Sequence, residues 1–530
     1  MAFFLLISLS IIGLLQFRSY GIGVDESYMR RHGAQVAKYI LNKFAPSSLD
    51  AFKNIPNIEN LQFDESSQDR THGTIFELPM TLFEVIFNLT SNSQQIYFYR
   101  HLYTYFFCSL GVVAVFYFLA WRYKSTSVAL LGSIILLLSP RQFADSFYNS
   151  KDLVFMYSYT ISVLLAIIYI YKVNKKNAIF ASIGCAYATS VRPIGLVVAF
   201  LTLLMLFAIK RKVDIPNFFK LIVIYVSTLF LSIYLFWPYL WENPIERFIE
   251  VSFTLSNYTL VGNLEILTDG KYLLAGNLPW YYLFKWIFVT TPIPYLFLML
   301  FGIVRLIITI SRFNKNTDKV NSKKLADFFV LASIITPLTL AIITKSTFYD
   351  GWRHFYFIYP LLIVVAMGGW IDILRFTKKL NFKTSAIYLL ITTAVLIHNA
   401  IWMINNRPFQ NVYFNQFSSK DIRSNWEMDY WGLSNRAALE WVLQDSKDRI
   451  INVVDGSFGT QLNKSALIID ASQRERLKFV SQWIDADYLV TNYKGVKPFI
   501  ENKYEDLFNL EYEKWVGNAK IYSIYKRKIS

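Results

Sequence analysis

Long apolar runs alternate with short polar segments along the first 403 residues of this chain. A helix needs roughly 20 apolar residues to cross about 30 Å of hydrocarbon, and eleven runs approach that length. They lie near residues 2–17, 98–120, 126–140, 153–171, 178–191, 193–209, 219–237, 282–309, 327–344, 355–371 and 384–403. The pattern predicts an α-helical polytopic membrane protein with about eleven transmembrane helices.

Two longer polar regions interrupt these runs. Residues 18–97 contain the stretch YMRRHGAQVAKYILNKF, whose apolar side chains recur at helical spacing and predict an amphipathic interfacial helix. Residues 238–281 are rich in Trp and Tyr, which favour the membrane boundary. We expect an irregular segment on the membrane surface there, and we assign residues 1–403 to one transmembrane domain that includes the 18–97 loop.

The composition becomes that of a soluble protein after residue 404. The runs INVVD, ALIID, DYLVT and KIYSIY have a strand-like pattern, and NRAALEWVLQ and RERLKFVSQWI between them have a helical one. Residues 404–530 are therefore predicted to form a small α/β domain outside the membrane.

Charge placement gives the expected orientation. Only 17% of residues are charged, against roughly 25% in soluble domains, and Lys and Arg exceed Asp and Glu by 16. On a soluble chain that excess would suggest nucleic acid. Here the basic residues occupy alternate loops, as the positive-inside rule requires. These loops contain Arg122 and Lys124, Lys172 to Lys176, Lys210 to Lys212, Arg312 to Lys324, and Arg375 to Lys379.

The alternation predicts a cytoplasmic amino terminus, an external 404–530 domain, membrane lipids as partners and no nucleic acid. Heavy use of Ile, Lys, Asn, Phe and Tyr is typical of AT-rich bacterial genomes and favours the bacterial inner membrane over the endoplasmic reticulum. The two cysteines, Cys108 and Cys185, lie in apolar runs, where a disulfide is not expected.

Polar residues gather at the predicted external ends of the helices in four clusters. The first is Asp25-Glu26, and the second lies in SPRQFADSFYNSKD. The third is Arg192, and the fourth lies in FYDGWRHFYF. If the topology holds, all four face one side and can meet in one site at the membrane surface.

The content of such a site suggests a reaction class. Inverting sugar transfer from a lipid phosphate needs one base for the acceptor hydroxyl and cations where the phosphate gains charge. A phosphate leaving group needs no general acid, so one carboxylate and a basic cradle suffice. No Cys/His metal-ligand spacing is visible.

The chain resembles the C-type membrane glycosyltransferases, in particular glycosyltransferase family 39, with the protein O-mannosyltransferases and aminoarabinose lipid A transferases. The matching pieces are VDES, SPRQFADSFYNSKD with FMYSYT, YATSVRPIG, YDGWRHFYFIYP, and RPFQNVYFNQF followed by MDYWGLSNRAALEW. The resemblance implies the C-type glycosyltransferase fold and a hexosyl- or mannosyl-transferase that uses a polyprenyl-phosphate sugar. Residues 404–530 do not resemble a β-trefoil, and the helices are fewer than in the aminoarabinose enzymes. Lipid, glycan and protein acceptors therefore stay open.

The resemblance also implies roles for single residues. Asp25 is the expected general base, with Glu26 beside it, and the second acid is Asp152 or Asp145. The donor phosphate is expected to contact Arg141, Lys151, Arg192, Arg353 and His354. Residues expected to orient the acceptor or a metal are Asp145, Tyr349 and Asp350. Transfer is expected with or without a divalent ion.

Two alternatives stay open. An oligosaccharide polymerase or ligase would use a pyrophosphate-linked donor and depend on Arg353-His354 more than on an acid. A lipid-linked sugar transporter or flippase would tend to show internal repeats and paired broken helices, and the sequence has neither.

Overall fold

The computed structural model describes residues 1–47, 72–87, 89, 92–209, 215–256, 261–311, 322–496 and 503–528. Most of these residues are helical. Up to residue 405 the helices are α1 (Ala2–Gln16), α2 (Val24–Phe44), α3 (Glu77–Ile86), α4 (Ser93–Tyr123), α5 (Thr126–Leu137), α6 (Pro140–Tyr148), α7 (Asp152–Tyr171), α8 (Lys175–Val191), α9 (Leu196–Ile209), α10 (Ile215–Phe236), α11 (Pro244–Ser256), α12 (Tyr282–Thr290), α13 (Ile293–Ser311), α14 (Ser322–Ile343), α15 (Tyr359–Leu380) and α16 (Phe382–Asn405).

Seven helices in the described part are long and apolar enough to cross a bilayer, namely α4, α7, α10, α13, α14, α15 and α16. The pair α5 and α6, bent by 71°, makes an eighth candidate span. The chain is thus an integral membrane protein, and the seven or eight candidate spans of the described part are close to the expected eleven but fewer. Helices α1, α8 and α9, which lie in predicted spans, have 15, 17 and 14 residues, at or below the lower end of the roughly 17–25 residues of membrane-crossing helices.

The predicted span 282–309 is also wrong as a single helix. It breaks into α12 and α13 at Thr291-Pro292, where Thr291 has extended backbone angles. Proline disfavours helical backbone in the residue before it. The sequence TTPIP therefore carried the signal for this break.

Helices α7 and α15 form the centre of the bundle. Each has 83% of its apolar stretch buried within the protein, compared with 22% for α13 and 11% for α16. A helix that is apolar all round and buried belongs to a core, whereas α13 and α16 present apolar side chains outward, as lipid-facing helices do. Cys108 and Cys185 are buried free thiols in this bundle.

The polar regions between the spans are more regular than their composition indicates. The predicted amphipathic helix is present as α2, with Met29, Val36 and Ala37 buried. In the 238–281 region, α11 is followed by an antiparallel hairpin of β1 (Glu265–Thr268) and β2 (Lys271–Leu274). Asp269 and Gly270 at its turn both have positive φ, as a tight Asp-Gly hairpin requires. The expectation of an irregular segment was wrong there.

The C-terminal region forms the expected small α/β domain. Its strands are β3 (Ile451–Asp455), β4 (Leu477–Val480), β5 (Tyr488–Thr491), β6 (Phe508–Val516) and β7 (Ala519–Arg527). They lie in the order β4-β3-β5-β7-β6, with β3 parallel to β4 and β5, and β7 antiparallel to β5 and β6. The helices are α17 (Ser434–Asp445), α18 (Leu462–Ser465), α19 (Ala471–Arg474) and α20 (Tyr504–Leu507).

Two assignments within this domain were wrong. ALIID forms a short 3₁₀ helix instead of a strand, because side chains at the start of α4 bind its carbonyl groups, Gln94 Nε2 donating to Ile468 O at 3.1 Å. RERLKFVSQWI contains the strand β4, which pairs with β3. Both outcomes depend on contacts with other elements, which the local pattern does not contain.

Candidate functional site

Four charged side chains from four separate segments meet at the end of the bundle that carries the C-terminal domain. Nη1 of Arg353 donates to Asp25 Oδ2 at 3.0 Å and to Asp152 Oδ2 at 3.2 Å. Arg192 pairs with the other oxygen of Asp152. We call Asp25, Asp152, Arg192 and Arg353 the carboxylate–guanidinium cluster. The Asp152 and Arg353 side chains are buried, whereas that of Asp25 keeps 33% of its surface exposed.

Asp25 owes its position to the start of α2. Glu26, at the third position of the helix, accepts the N–H of the N-cap residue Gly23 at 2.8 Å and so caps the helix. The preceding segment packs closely on the C-terminal region, since a Cβ on Gly21 would lie 2.4 Å from Leu433 O. Asp25 is therefore held in the first helical turn, with its side chain directed at Arg353.

Asp152 begins α7, and Asn149 fixes the turn before it. The Asn149 Oδ1 accepts the backbone N–H of Asp152 at 2.7 Å, and its Nδ2 donates to Asp152 Oδ2 at 3.2 Å. Asn149 thus satisfies a free N–H at the start of the helix and orients the carboxylate.

The two arginines sit where the backbone leaves helical geometry. Arg192 follows α8 and is extended because Pro193 comes next. Before Arg353, Asp350 and Gly351 both have positive φ, and a Cβ on Gly351 would lie 3.3 Å from the Trp286 ring. Asp tolerates this conformation and glycine adopts it without strain. The turn brings Arg353 back toward Asp25.

Lys151 adds a third cation beside the cluster. Burial, and next the neighbouring charge of Arg192, lower the pKa of its ammonium to about 8, although Asp25 and Asp152 favour the charged form. Among the described residues no carboxylate pairs with it. A cation that is close to the cluster but not paired is available to an anionic ligand.

Residues of the C-terminal region complete the site, and the sequence did not point to them. Lys494 Nζ pairs with Asp350 Oδ1 at 3.1 Å, and Asp350 Oδ2 lies 3.4 Å from Arg353 Nη2. Trp431 lies under the Arg353 guanidinium at 4.7 Å. Burial, and then the charge of Asp350, raise the pKa of Glu427 to about 8. The only sequence signal was the position of Trp431 inside a motif that resembled the family.

Several other predicted residues lie outside the cluster. Arg141 is buried, its Nε donating to Tyr413 O at 2.9 Å and its guanidinium lying 4.5 Å from the Phe414 ring. Asp145 accepts a hydrogen bond from Tyr148. The expected phosphate contact of Arg141 and acceptor contact of Asp145 stay predictions.

The remaining three predicted residues adjoin the cluster. Both oxygens of Glu26 are already used, because besides Gly23 they contact His101 Nε2 at 3.2 Å. The Tyr349 ring lies 4.8 Å from the Arg353 guanidinium and 4.8 Å from the His354 ring. Their expected roles also stay predictions.

A divalent ion fits this arrangement poorly. In the described part of the chain, no three His, Cys, Asp or Glu side chains group as metal ligands would. An ion between Asp25 and Asp152 would have to take the place of Arg353 Nη1, which lies between them.

No protein-family model and no curated protein matches this sequence. Among solved structures, the chain is similar to the archaeal oligosaccharyltransferase AglB from Archaeoglobus fulgidus, in complex with an inhibitory peptide and a dolichol-phosphate, with a TM-score of 0.50 and 11% identity over 99% of this chain and 74% of that one. It is also similar to ArnT from Cupriavidus metallidurans, both bound to undecaprenyl phosphate (TM-score 0.46, 10% identity, 98% and 97% covered) and in the apo state (0.45, 11%, 98% and 97%). At such low sequence identity, the similarity to AglB indicates a shared fold and nothing more. The chain has the C-type glycosyltransferase fold that the sequence predicts.

Proposed function

We propose that this chain is a membrane glycosyltransferase that moves a sugar from a polyprenyl-phosphate donor to an acceptor hydroxyl with inversion, using Asp25 as general base. The observation that carries the proposal is the Arg353 bridge between a one-third exposed carboxylate and a buried one. The fold supports the reaction class, and the AglB structure contains a dolichol-phosphate. The proposal includes a hexose or mannose as the transferred sugar. It also places the reaction on the external face of the bacterial inner membrane.

The two carboxylates of the cluster are suited to different tasks. Asp152 is buried and held by Arg192, Arg353 and Asn149, so it orients the cations. Asp25 contacts Arg353 through Oδ2, and in the described part of the chain no hydrogen bond engages its Oδ1. Asp25 is therefore the carboxylate that can receive a proton from a substrate.

In the proposed reaction, the oxygen of the acceptor hydroxyl attacks the anomeric carbon of the sugar while Asp25 takes the hydroxyl proton. The new carbon–oxygen bond forms while the bond from that carbon to the phosphate oxygen breaks, and the polyprenyl phosphate leaves with the electron pair. Arg192, Arg353 and Lys151 stabilise the negative charge that develops there. Lys151 pairs with no carboxylate of the described residues, so it can bind the phosphate without giving up an ion pair.

Incubation of the purified chain with a panel of polyprenyl-phosphate sugars and simple glycan, lipid and peptide acceptors tests the proposal. We expect sugar transfer with inverted anomeric configuration, and its loss in Asp25→Asn but not in the matched variant Asp485→Asn, an exposed acid of the C-terminal domain. Transfer from a pyrophosphate-linked donor that survives Asp25→Asn and is lost in His354→Ala would identify a polymerase or ligase instead.

A further inference from the structure

A cavity of about 360 Å³ lies between the ends of α1 and α16 and the C-terminal domain. Ser19, Pro408, Arg436, Lys514 and Tyr512 are among the residues that line it. None of its lining residues belongs to the carboxylate–guanidinium cluster. Small-ligand sites measure roughly 300–1,000 Å³, so the cavity is large enough for a polar headgroup.

The lining of this cavity carries one net positive charge, and Arg407 beside it adds a second. Arg436 lines it and donates to Tyr20 O at 2.9 Å, and Arg407 adjoins it and donates to Ser19 Oγ at 2.9 Å. Glu440, the carboxylate in the wall, accepts from Arg436 at 2.8 Å. Among the described residues, neither Arg407 nor Lys514 pairs with a carboxylate. The charge favours an anionic ligand.

Exposed apolar side chains lie directly below these cations. On the last turn of α1, Leu14 and Leu15 are 55% and 68% exposed, and on the last turns of α16, Ile401 and Ile404 are 52% and 72% exposed. The two helices meet there, because Arg407 also donates to Leu15 O at 3.3 Å. Cations directly above a lipid-facing apolar surface lie at the height of lipid headgroups.

We propose that this cavity binds the phosphate headgroup of an anionic phospholipid, whose acyl chains lie along α1 and α16. Lys514 and Arg407 supply the charges that face the phosphate, and Arg436 and Ser19 shape the cavity. Such a lipid would join the membrane domain to the C-terminal domain where α1 and α16 end.

The test is native mass spectrometry of the full chain reconstituted with equal amounts of phosphatidylglycerol and phosphatidylcholine of the same acyl composition. We expect retained phosphatidylglycerol in the wild type and about 30-fold weaker retention in Arg407→Gln/Lys514→Gln. The matched variant Arg449→Gln/Lys478→Gln removes the same charge from exposed positions of the domain and should behave as wild type. Lys514→Gln alone, which leaves the Arg407 contacts of α1 in place, should weaken retention about five-fold.

Equal retention of the two lipids, or equal loss in both double variants, would overturn the proposal. A thermal-shift measurement with soluble glycerol phosphate separates the two sources of phosphate. Stabilisation by that soluble anion at millimolar concentration, without lipid retention, would identify a site for a free phosphate ester and overturn the lipid assignment.

Discussion

Two networks of ion pairs each include a residue of α2, and they differ in the solvent exposure of their side chains. In the carboxylate–guanidinium cluster, Arg353 binds Asp25 and Asp152. In the second, which we call the scaffold network, Arg100 binds Glu77 and Glu84, and Arg30 also binds Glu84. Each network places a buried arginine between two carboxylates.

The difference lies in what remains accessible. In the scaffold network the side chains of Arg100, Glu77 and Glu84 are at most 2% exposed, so no substrate reaches them and they tie α2, α3 and α4 together. In the cluster, Asp25 is one-third exposed, and Lys151 lies beside it and pairs with no carboxylate in the described part of the chain. The same kind of ion pair therefore stabilises the fold where all its side chains are buried. It forms a candidate reaction centre where one acid is partly exposed to solvent.

The largest effect is expected at the open acid. Asp25→Asn should lower the transfer rate by about 10²–10⁴-fold, because the acceptor hydroxyl loses its base. The thermal unfolding midpoint should stay close to that of the wild type, since the side chain is partly exposed. Initial rates and thermal unfolding of the same preparation, with Asp485→Asn as control, check both.

The second largest effect is expected on stability, in the buried scaffold network. Arg100→Met should lower the free energy of unfolding by about 3–5 kcal/mol, because the buried carboxylate of Glu77 loses its cation and that of Glu84 keeps only Arg30. Denaturant unfolding in detergent measures it. Adding Glu77→Gln, which leaves the Arg30–Glu84 pair in place, should restore much of the loss, and an Arg100→Met shift below about 1 kcal/mol would contradict the assignment of this network as scaffold.

Lys151 sharpens the comparison through pH. Its ammonium attracts phosphate only while protonated, so donor affinity should fall as the pH rises through its lowered pKa of about 8. In the unfolded chain the ordinary pKa of 10.5 applies. The contribution of Lys151 to stability therefore becomes more favourable as the pH rises from the folded-state pKa to the unfolded-state pKa. Donor binding between pH 6 and 10 checks the first effect, and in Lys151→Gln the step near pH 8 should be absent.

The smallest effect is expected from the link to the C-terminal domain. Lys494→Gln removes the ion pair to Asp350 and should reduce transfer about five-fold, the scale of a partly exposed ion pair. Lys478→Gln on β4 is the matched control. Equal rates in the two variants would show that Lys494 does not position Arg353.

Local sequence patterns predicted much of the membrane domain. The spacing of Met29, Val36 and Ala37 was enough to predict α2, because helical periodicity is a local property. The proline at position 292 is a local signal for the break between α12 and α13. The apolar run around it is long enough to predict a single helix, so the break was missed. The short helix at ALIID depends on Gln94, more than 370 residues away, and no local pattern encodes such a partner.

The candidate site was predictable in its components but not in its pairing. Asp25, Asp152, Arg192 and Arg353 stood out because charges at the ends of apolar runs are rare. That Arg353 bridges the two acids, and that Arg141 instead binds Tyr413, follows from tertiary packing. Lys494 reaches Asp350 from the C-terminal domain, in which lysine is common, so its position gave no signal.

One experiment tests the central claim most directly: transfer rate per folded molecule and unfolding free energy, measured side by side for Asp25→Asn and Arg100→Met. We predict that Asp25→Asn loses at least about 100-fold in rate with its unfolding free energy retained, and that folded Arg100→Met keeps most of its rate while losing stability. An Asp25→Asn variant that transfers sugar as fast as Asp485→Asn would contradict the claim that the open cluster is the reaction centre.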